Sequence, residues 1–270
     1  MLTLTKVLRH AGSALALAAA SLASYAAPVT TQLGFLVDAS GSIGATNFNT
    51  MRSGYAAALA ALPTDGSIQL TVVTFASGVT TVVQPTIVTA ASLPGILSNI
   101  NAMTYSGGTT ATAAGINAIT GLMTSASAGF NRSLNSMINI ATDGEPNDNN
   151  NNPRQAALNA ANAAKAAGID ALTAEGIGAS LDVGFLQDMV FSPINGPCNN
   201  CGTVLADGTT PPNPMTSNPW VLRVNDFNDF PVAINAKVQA SISEVPEPGV
   251  LVLLAVGLIG LGVVRRNRSI

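Results

Sequence analysis

Histidine is nearly absent from this 270-residue chain, and the only one is His10. It lies in a short basic region at the N-terminus, followed by an apolar, alanine-rich run that ends in small residues at Ala26 and Ala27. This order is typical of a secretory signal peptide, which we predict for residues 1–26 with cleavage after Ala26 or Ala27. An exported chain without histidine has no Ser-His-Asp triad, no Cys-His pair and no histidine-ligated zinc.

Cysteine is equally scarce, because Cys198 and Cys201 are the only two. Zinc would require two further nitrogen or sulfur ligands that an exported chain does not contain. The surrounding segment is rich in glycine, proline and asparagine, which predicts a loop insertion over about 192–219 rather than the strand-to-helix junction of a redox site. In an oxidising compartment we therefore expect a local disulfide between the two cysteines.

Charge is also sparse, at 9% of all residues. Between Ala27 and Glu244 there are thirteen acidic and six basic residues, which leaves a net charge of −7. Nucleic-acid binding requires clustered cations, and no basic patch is visible in this stretch. We therefore expect no nucleic-acid partner.

Strand-like and helix-like runs alternate through the middle of the chain. Leu33–Val37 is continuously apolar, which is typical of a parallel strand covered on both faces. Residues 48–62 repeat apolar side chains every three or four positions, as one face of a helix does. A later strand contains Pro85, which indicates a sheet edge or a bulge. The alternation predicts an α/β fold over residues 31–242, with a doubly wound, mostly parallel sheet flanked by helices.

Short side chains with oxygen atoms follow two of the predicted strands and occupy one glycine-rich turn. They are Asp38, Ser40, Ser42, Thr109, Thr110 and Asp143. Ligands bind at the carboxyl ends of strands in such sheets, and Mg²⁺ prefers six oxygen ligands while keeping a place for water or a partner's oxygen. An open site for a divalent cation is one interpretation. The other is that Ser40 and Ser42 cap the next helix and that Asp143 belongs to a plain turn.

Together these stretches resemble the von Willebrand factor type A domain, whose metal-ion-dependent adhesion site (MIDAS) is built from three motifs. Residues 38–42, Asp-Ala-Ser-Gly-Ser, match the first motif, Asp-x-Ser-x-Ser, in full. The glycine-rich turn supplies Thr110 for the second motif, with Thr109 as the fallback. Asp143 followed by Gly144 matches the third motif.

The resemblance implies a Rossmann-like fold and a bound divalent cation, Mg²⁺ first, with Mn²⁺ or Ca²⁺ as alternatives. The metal ligands that it implies are Asp38, Ser40, Ser42, Thr110 and Asp143, the last binding directly or through water. A carboxylate of the partner would take the open coordination position.

The C-terminus carries a second set of signals. Residues 245–248 read Val-Pro-Glu-Pro, and Gly249–Val264 contains no charged residue. As a helix this run is about 24 Å long, slightly short of a bilayer core of about 30 Å. An arginine cluster follows at once and would stay on the cytoplasmic side of a membrane. The cluster consists of Arg265, Arg266 and Arg268. A transmembrane helix is predicted, with a core helix as the alternative.

This C-terminus resembles the PEP-CTERM sorting signal, with Pro246, Glu247 and Pro248 as its motif. The resemblance implies a Gram-negative bacterium that makes exopolysaccharide or a biofilm, and an exosortase as a partner. The chain would be anchored in the inner membrane before sorting and would then reach the cell surface or the extracellular matrix.

These features predict an exported, metal-dependent adhesion protein that is not an enzyme and that captures an acidic protein or an anionic polysaccharide. A metal-assisted hydrolase and a structural biofilm-matrix component are the alternatives. Glu175 is unusual inside a predicted buried strand. Either it lies at the strand's upper end near the metal, or it faces an uncovered edge of the sheet.

Overall fold

A computed structural model describes residues 27–148, 151–178 and 181–242. Seven strands occur within these ranges: β1 (Thr31–Asp38), β2 (Asp65–Phe75), β3 (Val79–Thr89), β4 (Asn135–Thr142), β5 (Ala171–Ile177), β6 (Thr203–Leu205) and β7 (Trp220–Val224). Six α-helices accompany them: α1 (Ala45–Ala60), α2 (Leu93–Asn101), α3 (Thr112–Met123), α4 (Pro153–Ala167), α5 (Val183–Met189) and α6 (Phe230–Ile242). The predicted signal peptide and the predicted C-terminal membrane helix lie outside the described residues.

The strands form one sheet in the order β3-β2-β1-β4-β5-β7-β6. All neighbouring pairs are parallel except β2 and β3. Every residue of β1 is buried, because helices cover both faces of the sheet. The predicted α/β class and mostly parallel sheet are confirmed.

Alternate residues of each interior strand supply two separate cores. On one face, Phe35 and Val37 of β1 pack with α1, α2 and α6. On the other face, Leu36 packs with α3, α4 and α5. The sheet therefore buries two apolar layers at once, and its carboxyl-end loops are left to form a polar edge.

The two edges of the sheet differ from each other. Strand β3 pairs irregularly with β2 and contains Pro85, in agreement with the predicted edge or bulge. Strand β6 was not predicted, because three residues are too few to show a periodicity. It lies in the segment that the sequence identifies only as a loop, where Cys198 and Cys201 form a disulfide with Cα atoms 5.3 Å apart.

Of the two interpretations that its sequence position left open, Glu175 fits the first in its place along the strand and not the second, which had it facing an uncovered edge of the sheet. It lies near the carboxyl end of β5, but its side chain is fully buried between the sheet and α6. The Nζ atom of Lys237 in α6 lies 2.7 Å from Oε1 of Glu175. A buried ion pair therefore accounts for the acid inside the strand.

No helix in the described ranges combines the length and the apolar character that a membrane crossing requires.

Gly34→Val should destabilise the domain. A Cβ atom at Gly34 would overlap Sδ of Met123 and lie 3.0 Å from Cδ1 of Ile119, so α3 would have to move away from β1. Such overpacking costs about 1–3 kcal/mol, measured as the free energy of unfolding in urea. Gly121→Val is the matched control, because nothing lies within 4 Å of its Cβ position on the exposed side of α3. An equal decrease in the free energy of unfolding in both variants would contradict the close approach of α3 to β1.

Candidate metal centre

Asp38 is the last residue of β1, and both of its carboxylate oxygens are held by neighbouring groups. The backbone amide of Ser40 donates to Oδ1 at 2.8 Å. The hydroxyl of Thr142 at the end of β4 donates to Oδ2 at 2.6 Å. Asp38 has no exposed surface, so these contacts fix a buried carboxylate at the polar edge of the sheet.

Ser40, Ser42 and Asp143 lie together beside Asp38. The Oγ atoms of Ser40 and Ser42 are 3.3 Å apart, and the hydroxyl of Ser42 donates to Oδ1 of Asp143 at 2.8 Å. They meet because β1 and β4 are parallel neighbours whose carboxyl ends are in register. Helix α1 begins after Gly44 and has no side-chain cap, so the interpretation of the two serines as helix caps is wrong.

The glycine-rich turn is attached to the loop after β1 through its backbone. The amide of Gly41 donates to the carbonyl of Gly108 at 2.9 Å, and the amide of Gly107 donates to the carbonyl of Ala39 at 2.9 Å. A Cβ atom at Gly41 would lie 3.0 Å from that carbonyl oxygen, and Gly108 has a φ of 84°. Glycine at these positions allows the two loops to approach closely.

Thr110 and Thr109 make different contacts. Thr110 is buried, its amide donates to Oδ1 of Asn147 at 2.7 Å, and the amide of Asn147 donates back to its carbonyl at 3.2 Å. These contacts place Thr110 next to the segment that follows Asp143. The hydroxyl of Thr109 instead donates to Oγ of Ser77 at 3.0 Å, so Thr110 is the better candidate ligand.

Three residues that support the site were not identified as such from the sequence. Thr142 binds Asp38, Asn147 holds Thr110, and the hydroxyl of Tyr105 donates to the carbonyl of Gly41 at 3.2 Å. Thr142 contacts Asp38 because β4 pairs in register with β1, and that pairing is not visible in the sequence. The contacts of Asn147 and Tyr105 depend on how their loops fold.

The electrostatics of the site favour a cation. Burial raises the pKa of Asp38 to about 6, although hydrogen bonds from Ser40 and Thr142 act in the opposite direction. Burial also raises the pKa of Asp143. Neither carboxylate forms a salt bridge with a residue that the structure describes. Two neighbouring carboxylates therefore lack a positive partner from the described part of the chain.

The donor set fits a hard divalent cation. All five candidate side chains present oxygen atoms, and three of the five are neutral hydroxyls. No group of three His, Cys, Asp or Glu side chains suited to a metal occurs in the described ranges, so a cation held here would need the hydroxyls as ligands. Such a mixed oxygen set suits Mg²⁺, Mn²⁺ or Ca²⁺ better than a soft metal.

Beyond Asp143, one arginine joins two loops of the polar edge. The Nη1 atom of Arg154 contacts Oδ2 of Asp182, and it lies 3.0 Å from Oε1 of Glu145. The hydrogen bond from Arg154 lowers the pKa of Asp182 to about 2. The charge of Arg154 is thus already matched by two acids.

Two family models match the chain. The von Willebrand factor type A domain matches residues 32–199, and the PEP-CTERM protein-sorting motif matches residues 244–268. The sorting motif is that of an exported protein of Gram-negative bacteria, and it implies processing by an exosortase. The comparison with curated proteins gives no match.

Several solved structures share the fold. Proximal thread matrix protein 1 from the mussel byssus is 21% identical with a TM-score of 0.60, over 79% of this chain and 48% of that one. A further structure of that protein has a zinc-occupied MIDAS motif. The pilus adhesin SpaC from Lactobacillus rhamnosus GG is 14% identical with a TM-score of 0.56, over 78% of this chain and 30% of that one.

Manganese-loaded TRAP from Plasmodium vivax is 22% identical with a TM-score of 0.51, over 77% of this chain and 73% of that one. The chain thus spans about half the length of the mussel protein and less than a third of SpaC. The family model covers more than half of the 270 residues. This chain belongs to the von Willebrand factor type A domain family.

Proposed function

We propose that this chain is an exported adhesion protein whose MIDAS cation captures an acidic group of its partner. The ligands would be Asp38, Ser40, Ser42 and Thr110, with Asp143 binding directly or through water. The observation that carries the proposal is the pair of neighbouring carboxylates, one fully buried, that no described cation balances. Metal-bearing relatives, with zinc in the mussel protein and manganese in TRAP, support a divalent cation.

Hydrogen bonds within the chain hold the candidate ligands in position without a partner. Asp38 is fixed by Ser40 and Thr142, and Ser42 orients Asp143 through a hydrogen bond. A bound Mg²⁺, or Mn²⁺ or Ca²⁺ in its place, would supply a positive charge with an open coordination position. Since two carboxylates leave such a site close to neutral, an incoming acidic group is not repelled.

The partner would be an acidic protein or an anionic polysaccharide at the cell surface or in the extracellular matrix. The sorting motif supports this location, because it directs an exported chain to an exosortase. Before that processing, the run over 249–264 would hold the chain in the inner membrane as a transmembrane helix. The biofilm matrix is then the setting in which adhesion takes place.

We also propose that the chain is not an enzyme. The exported part has no histidine, and the two carboxylates are both assigned to the metal. A screen of ester and phosphoester hydrolysis with Mg²⁺ and Mn²⁺ tests this, and turnover that disappears in Asp38→Ala would favour the metal-assisted hydrolase instead.

Asp38→Ala should abolish metal binding and adhesion while the fold persists. Removing a fixed carboxylate ligand should weaken Mn²⁺ binding about 100-fold or more, measured by calorimetry, with far-UV circular dichroism as the test of folding. The immobilised chain should capture material from the host's envelope and matrix with Mg²⁺ but not with EDTA, and Asp38→Ala should capture none.

Asp65→Ala is the matched control, because Asp65 begins β2 at the opposite end of the sheet. It should bind metal and partner as the wild type does. Capture that survives both EDTA and Asp38→Ala would refute adhesion through the metal. Metal binding that raises the melting temperature, without capture of any material, would favour the structural matrix component.

Asp38→Asn should stabilise the metal-free protein at neutral pH. Burial raises the pKa of Asp38 from 3.8 to about 6, so its ionised form disfavours folding. Stability therefore falls as the pH rises from about 4 to about 6, by up to about 3 kcal/mol. In EDTA at pH 7.5 the variant should melt above the wild type, and near pH 4 the difference should vanish.

Mg²⁺ should then raise the melting temperature of the wild type but not that of Asp38→Asn, because the amide is a poor ligand for a hard cation. A metal-free variant that melts below the wild type at pH 7.5 would show that the hydrogen bonds of the carboxylate outweigh the cost of burying its charge.

A further inference from the structure

A second polar cluster is buried in the core, on the face of the sheet that α1 and α6 cover. It consists of Asn139 of β4, Glu175 of β5 and Lys237 of α6, which we call the buried triad. Their exposed fractions are 4%, 0% and 2%. None of the three contributes to the metal site described above, so that site does not explain their presence.

Glu175 lies between the other two members of the triad. Its Oε1 atom is 2.7 Å from Nζ of Lys237, and its carboxylate also contacts the side-chain amide of Asn139. Asn139 is on the strand next to Glu175, diagonal to it and on the same face. One carboxylate thus connects an amine and an amide that are more than ninety residues apart in sequence.

Aromatic side chains surround the triad and exclude water. Nζ of Lys237 lies 4.9 Å from the centroid of the Trp220 ring, and Tyr55 contacts Asn139. Neither the amide oxygen nor the amide nitrogen of Asn139 makes a well-aligned hydrogen bond with the described residues. Buried amides normally have partners, and buried ion pairs are costly to desolvate, so this arrangement is unfavourable as it stands.

The three groups are the reactants of an amide-forming reaction. An amine in a desolvated pocket is a nucleophile when it loses its proton, an amide carbon is an electrophile, and a carboxyl group moves protons between them. Burial lowers the pKa of Lys237 to about 8 and raises that of Glu175, which brings a neutral amine and a neutral acid within reach. Glu175 contacts both of the other groups, and groups that a fold holds together react far faster than free ones.

We propose that Lys237 and Asn139 form an amide crosslink between their side chains, with Glu175 as the general acid and base. Glu175 first takes a proton from the ammonium of Lys237. The Nζ lone pair then forms a bond to Cγ of Asn139 while Glu175 protonates Oδ1.

The Cγ–Nδ2 bond next breaks, and Nδ2 leaves as ammonia with the second proton from Nζ, transferred by Glu175. The carbonyl re-forms as Oδ1 gives its proton back to Glu175. Nothing is oxidised or reduced, and the products are one amide, one molecule of ammonia and a protonated Glu175.

The product suits its surroundings better than the reactants do. The crosslink removes the buried ammonium and carboxylate charges, and the neutral Glu175 can hydrogen-bond to the new amide. The bond would join β4, which leads directly to Asp143, to α6, which ends just before the sorting motif. Force between a bound partner and the C-terminal attachment would then pass through a covalent bond.

Peptide mass spectrometry of the full exported chain, reduced and digested with trypsin, tests this proposal. Asn139 lies in the peptide 133–154, and cleavage after Lys237 is blocked once its amine is acylated. We expect 133–154 joined to the peptide that begins at Val224, with the loss of about 17 Da as ammonia. Linear peptides that end at Lys237, with unmodified 133–154, would overturn the proposal.

A join between Lys237 and the peptide 166–223, with the loss of about 18 Da as water, would overturn it as well, because Glu175 would then be the acyl donor. Glu175→Gln should reduce the crosslinked fraction at least tenfold, and Lys237→Met should abolish it. Lys165→Met is the matched control, since Lys165 is the other lysine between Ala27 and Glu244, and it should leave the crosslink intact. If Glu175→Gln fails to fold, the wild-type peptides alone decide the question.

Discussion

The carboxylate of Asp38 is the constraint on which the polar edge of this domain depends. It is buried at the end of an interior strand, where a charge is disfavoured unless other groups compensate it. The amide of Ser40 and the hydroxyl of Thr142 provide part of that compensation. The negative charge that these two groups leave uncompensated is what would favour a cation at this edge.

Backbone and side-chain contacts together hold the loops around Asp38. Gly41, Gly107 and Gly108 let the glycine-rich turn lie directly on the loop after β1. Asn147 then ties Thr110 to the segment after Asp143. The candidate ligands therefore come from three separate segments whose relative positions are set by strand register and by glycine.

The same sheet carries a second set of buried charged groups, Glu175 and Lys237, on the face that α1 and α6 cover. Glu175 lies at the level of Val37, one residue before Asp38, since Glu175 pairs with Ala141 and Ala141 pairs with Val37. Lys237 contacts it from α6. Buried pairs of this kind contribute little to stability by themselves. Through Glu175 and Lys237, the last helix α6 contacts β5, the strand next to β4, which leads to Asp143.

The sequence by itself determined the α/β class, the mostly parallel sheet and the candidate ligands Asp38, Ser40, Ser42 and Asp143, because apolar periodicity and short motifs are local properties. It placed Thr110 ahead of Thr109 as the threonine ligand, and the tertiary structure adds that the Thr109 hydroxyl donates to Ser77 instead. The sequence could not show that Glu175 meets Lys237 and Asn139. Contacts between residues so distant in the chain depend on how helices pack across the sheet, and no local pattern records that packing.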